Sequence, residues 1–188
     1  MKNVTKSIFA ILLTAVLCPL VGLAQGEQHI RFTATESLLG PPAPGWTSFT
    51  ALDVLSIPSL QMDEYSIVIE YEGPPLEGFP YGLFGGFKGK NKGTIMNTSG
   101  DVIGYLVAYY VGENLSAPPV VDYTGEIKAV GMFWAGPFEG LALDINAVMT
   151  GSINVLTGEG DYEATLEGFL IAPVYVDFAA LKASLAGE

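Results

Sequence analysis

The chain has 188 residues, 20 acidic against 8 basic side chains, a formal net charge of −12 and a single cysteine. The length suffices for one domain with a sizeable core, the charge argues against nucleic acid or an anionic membrane surface as a partner, and one cysteine excludes an internal disulfide framework. Charged residues make up only 15% of the chain while 23 residues are glycine, a balance too poor in charge for the wet faces of long amphipathic helices, so composition predicts an all-β protein.

Residues 1–24 read as an export signal. Lys2 and Lys6 supply the positive start, an apolar run over 8–17 follows, and Gly22-Leu23-Ala24 places small residues where a signal peptidase cuts, just before Gln25. The apolar run is shorter than the roughly 20 residues that span a bilayer, so no stable membrane span is expected. Leu17 ahead of Cys18 does not suit lipid attachment. Cleavage after Ala24 leaves a domain over 25–188 without cysteine, secreted or periplasmic, in which thiol catalysis and thiolate metal sites are excluded.

Residues 29–35 alternate as a first strand, with Ile30, Phe32 and Ala34 on one side. Gly40-Pro41-Pro42-Ala43-Pro44-Gly45 is a stiff loop that neither a helix nor a central strand tolerates. The stretch 46–57 is mixed and holds a strand near 49–55, stopped by Pro58. The cleanest strand is 65–72, with Tyr65, Ile67, Ile69 and Tyr71 on one face and Ser66, Val68, Glu70 and Glu72 on the other. Gly73-Pro74-Pro75 ends it, and 81–87 is rich in aromatics and glycine. Lys88, Lys90 and Lys92 share one face of the next strand, which reads as a solvated edge that discourages unwanted pairing, with an anion or carboxylate site as the alternative.

A hairpin turns at Asn97-Thr98-Ser99-Gly100-Asp101, and its second arm over 102–111 is almost continuously apolar, which predicts a strand covered on both sides, or one with a core on one side and a cavity on the other. A strand over 123–134 follows. Residues 138–149 fit a helical face (Phe138, Leu141, Ala142, Ile145, Val148) and a strand face (Leu141, Leu143, Ile145, Ala147, Met149) alike, and the flanking glycines favour the strand. Residues 153–157 and 162–171 form a last hairpin, and 176–185 read as a short closing helix.

The last hairpin, Thr157-Gly158-Glu159-Gly160-Asp161-Tyr162 with Gly168 beyond it, resembles the Gly-x-Gly-x-aromatic turn of dirigent and allene oxide cyclase-like barrels. That resemblance implies an antiparallel barrel of about eight strands with an apolar interior, in a group whose members bind or cyclise small hydrophobic molecules. It carries over no catalytic residue, since the matching positions are turn residues. A two-sheet β-sandwich is the architectural alternative.

The chemistry legible in the residues is sparse. His29 is the only histidine and lies close to the new N-terminus, a poor setting for a catalytic base. Glu70 with Glu72, Asp144 with Asn146 and Glu159 with Asp161 lack the order of a calcium loop. No catalytic residue, metal ligand or cofactor is assigned. Tyrosines exceed what a dry core tolerates, and a cavity lined by apolar and phenolic groups is how a barrel holds a hydrophobic small molecule. Tyr105, Tyr109, Phe133 and Trp134 are the expected ligand-binding residues. Two alternatives stay open: an enzyme that guides cyclisation or coupling by cavity shape, and a structural surface protein with a filled core.

Overall fold

The computed structural model describes residues 28–79 and 85–172, and Ala183. The expected leader, Cys18 within it, and nearly all of the expected closing helix lie outside these residues. Eight strands close into one antiparallel barrel in sequence order: β1 Gln28–Leu38, β2 Ser48–Ile57, β3 Met62–Glu72, β4 Gly86–Met96, β5 Val102–Asn114, β6 Val120–Phe133, β7 Ala142–Asn154 and β8 Gly160–Ala172. β8 returns to pair with β1 from Gln28 to Ser37, so the barrel is formed and the sandwich is not.

Alternation along each strand separates an inner from an outer row. Ile30, Phe32 and Ala34 share one side as expected; that side faces inward, and the same row continues to Glu36. On β2 the inner row is Phe49, Ala51, Asp53, Leu55 and Ile57. Glu70 and Glu72 lie on the wet side of β3, as expected. The ambiguous segment is strand: β7 starts at Ala142 and buries Leu143, Ile145, Ala147 and Met149, while Phe138 is buried from the preceding turn. The arm over 102–111 departs from expectation, since it is covered on one side only. Ile103, Leu106, Ala108 and Tyr110 are buried, whereas Tyr105, Tyr109 and Val111 are exposed.

The antiparallel order places the loops 39–47, 115–119 and 155–159, together with residues 73–79 after β3, at one end, the upper end. Phe133, Phe138 and Tyr65 pack together at the lower end, with ring centroids 5.3 Å apart for Phe133–Phe138 and 5.1 Å for Tyr65–Phe138. In the last hairpin Gly158 takes φ +76°, a backbone state that favours glycine. Gly160 is required for a different reason: a Cβ there would come within 2.3 Å of the Ser152 carbonyl oxygen. Tyr162, third of the motif residues, points into the barrel.

Candidate functional site

The upper half of the interior carries the polar chemistry. Glu36 on β1 and Asp53 on β2 are direct cross-strand partners and both point inward, each only 2% exposed. Tyr71 donates its phenol proton to Glu36 Oε2 at 2.8 Å, and Tyr162 donates to Oε1 in a short hydrogen bond. Tyr110 lies inside near the same pair. Every described lysine and arginine, namely Arg31, Lys88, Lys90, Lys92 and Lys128, is exposed, so none faces the two carboxyl groups.

Like charges directly opposite each other repel, and burial magnifies that repulsion. The barrel answers with a proton. Burial first, and the neighbouring Glu36 second, hold the Asp53 carboxyl well above its ordinary range, and a side-chain hydrogen bond to Glu36 acts in the same direction. Protonated Asp53 and the two phenols thus surround Glu36, which accepts from all of them. Burial, then Glu36, raises Tyr71, Tyr110 and Tyr162 well above the usual phenol range, so these hydroxyls act as donors and not as phenolates. Asp53 Oδ1 is buried and makes no hydrogen bond within the protein.

Aromatic rings close the barrel above this polar group. Trp46 comes from the proline loop and its side chain enters the mouth. Its centroid lies 4.9 Å from Phe49, 5.4 Å from Tyr162, 5.8 Å from Phe79 and 6.0 Å from Tyr123. Phe79 packs on Phe87 at 4.9 Å and on Tyr123 at 5.0 Å, and Phe49 stacks on Tyr71 at 4.5 Å. Trp46 takes φ +57° after Gly45 at +69°, a conformation that a bulky residue adopts only where packing imposes it. Asn91 Nδ2 donates to the Trp46 carbonyl at 3.2 Å, whereas Trp46 Nε1 and Asn91 Oδ1 are buried without a hydrogen bond.

The space left among Trp46, Phe79, Phe87, Tyr110 and Tyr123 is about 10 Å³, room for about one water. A groove of about 450 Å³ lies just outside, lined by the Leu39–Pro41 stretch together with Phe49, Glu70, Tyr71 and Glu72. It shares Phe49 and Tyr71 with the interior. The Phe49 and Tyr71 side chains are buried and point inward, so the groove lies against the outer side of the wall that carries the phenol bonded to Glu36.

The structure divides the four expected ligand residues between two faces. Phe133 is fully buried at the lower end, while Tyr105, Tyr109 and Trp134 are 48%, 51% and 43% exposed on the outer face. Strand parity is the reason: the inner row takes even positions on β5 and odd positions on β6. Tyr105 and Trp134 touch each other outside the barrel at 5.2 Å. The four line no common cavity, and the interior rings that do come together are Trp46, Phe49, Phe79, Phe87 and Tyr123. His29 is exposed on β1, edge-on to Phe169 at 5.7 Å. No group of three or more metal-binding side chains occurs among the described residues. Comparison with known families, curated proteins and solved structures finds no match to the chain.

Proposed function

We propose that this protein is an exported barrel that binds a small, mainly apolar molecule at its upper end, beneath the Trp46 loop. One observation carries the reading: two facing carboxyls, with Tyr71 and Tyr162 hydrogen-bonded to Glu36 and Tyr110 close by, sit inside a barrel whose interior is mostly apolar. Stability alone does not call for it. Replacing a buried ionic group by well-packed apolar residues is often neutral or stabilising, by about 1–4 kcal/mol. Aromatic walls with a few convergent polar groups are instead the make-up of a ligand site. Binding beneath the loop requires the Trp46 side chain to move aside, since the space beside it is only about 10 Å³. The likeness of the last hairpin to dirigent and allene oxide cyclase-like barrels agrees with this reading, as does the leader-like N-terminus.

The chain has two tryptophans, and Trp134 lies on the outer face. Trp134→Phe thus leaves Trp46 as the reporter. Titration of this variant with the neutral dye Nile red is expected to quench Trp46 emission saturably through energy transfer. Emission that stays unchanged up to the solubility limit of the dye removes the proposal and leaves a barrel with a filled core.

A further inference from the structure

Resting on the binding reading above, we propose that the ligand is an apolar amine in its protonated form, its ammonium seated on the Glu36–Asp53 pair and its body among Trp46, Phe49 and Phe79. Three features of the site select that class. The pair faces no described lysine or arginine, so an anionic ligand adds a further negative charge to a buried acidic site. Asp53 Oδ1 is left as an acceptor without a donor, and an ammonium group brings up to three donors in one place. The rings above present faces that attract a cation, most strongly tryptophan.

Seating the cation changes the protonation of the pair. Asp53 keeps its proton because Glu36 lies opposite and the site is buried. A bound ammonium offsets that repulsion, Asp53 gives its proton to solvent, and the two carboxylates then share the cation. Binding therefore tightens as pH rises from about 4, the ordinary carboxylate range, towards the raised value of Asp53. The titratable groups facing Asp53 are Glu36 from β1, Tyr71 from β3, Tyr110 from β5 and Tyr162 from β8. All three phenols are held protonated across that interval, so the pH response belongs to the carboxyl pair.

Three probes with one apolar body test this on the full chain carrying Trp134→Phe: 1-naphthylmethylamine, 1-naphthalenemethanol and 1-naphthoate, each read by Trp46 emission. The amine is expected to bind at least tenfold more tightly than the alcohol at pH 7, with naphthoate weakest. Calorimetry in two buffers of different ionisation enthalpy is expected to show net proton release with the amine and none with the alcohol. Glu36→Gln, or Asp53→Asn should that variant not fold, is expected to bring the amine down to the level of the alcohol. Saturable binding with equal amine and alcohol affinities overturns the charge selection and leaves the cavity reading standing. Failure of all three probes to bind overturns the cavity reading and the inference with it.

Discussion

A carboxyl group facing another carboxyl group inside a barrel, with no described base in reach, has to keep its proton, and that makes Asp53 a pH-dependent contributor to stability. Its ordinary value is 3.8, and burial with Glu36 opposite raises it in the folded state. Below about pH 4 both folded and unfolded chains carry the proton, and the contribution is complete. Above that the unfolded chain releases the proton while the folded barrel retains it. Stability therefore falls as pH rises, by up to about 1.4 kcal/mol per pH unit, until the raised folded value is passed. Asparagine has nearly the same shape and keeps a donor for Glu36 without a titrating proton. Urea unfolding from pH 4.5 upward (roughly where the ordinary carboxylate range ends) is expected to show Asp53→Asn gaining on the unsubstituted chain at each step. Parallel stability curves for the two proteins place an ionised Asp53 in the folded state and contradict the arrangement.

Among the connecting elements, the proline loop at the upper end does the most, because it delivers Trp46 into the mouth. Gly45 takes φ +69°, and a Cβ there would lie 3.1 Å from the Pro75 side chain. Gly45→Ala thus combines a left-handed alanine, costing about 1–2 kcal/mol, with a tight contact against the neighbouring loop. In the Trp134→Phe background this substitution is expected to lower unfolding stability by about that amount and to shift Trp46 emission to the red. Unchanged emission would show that Trp46 is held by its packing regardless of the turn. The strands themselves were readable from apolar alternation, above all β3, where Tyr65, Ile67, Ile69 and Tyr71 share a row. The site was not, for reasons that differ by element. The strand pattern of β1 was traced only to Thr35, one residue short of Glu36, although the row Ile30, Phe32, Ala34 leads straight to it. Asp53 falls in the row Phe49, Ala51, Leu55, Ile57, so an acid on apolar parity was the available signal. On β5 both rows are apolar, and nothing in the sequence says which one faces in. Tyr105 and Tyr109 were placed in a cavity on that account. The Trp46 plug sits in a loop without periodicity, where burial depends on contacts far along the chain.

A closed barrel is as strong as its weakest seam, and here the strands are not joined equally. β6 and β7 pair from Val120 to Met132 against Ala142 to Asn154, and β4 pairs with β5 along its whole length. β3 and β4 pair only between Val68–Glu72 and Lys92–Met96. The upper part of β4 is instead met by the loop after β3, through the Glu77–Lys88 bridge, and Gly73 lies against Asn91. Fewer ladder bonds and a loop in place of a neighbouring strand define a region that opens at lower free energy than the rest. Its Gly86–Asn91 part lies at the upper end, next to the paired Tyr71 and Glu72 that line the groove, and Tyr71 holds Glu36; its Met62–Ile67 part lies at the lower end. Native-state hydrogen exchange is therefore expected to be fastest, among strand amides, over Gly86–Asn91 of β4 and the Met62–Ser66 half of β3, and slowest in β6 and β7. A saturating ligand at the upper end is expected to slow exchange over Gly86–Asn91 of β4 selectively, and not over Met62–Ser66 at the lower end, because it binds the closed mouth and not the open one. Uniform protection around the barrel would mean that the strands open together, leaving the seam no part in admitting a ligand to the carboxyl pair.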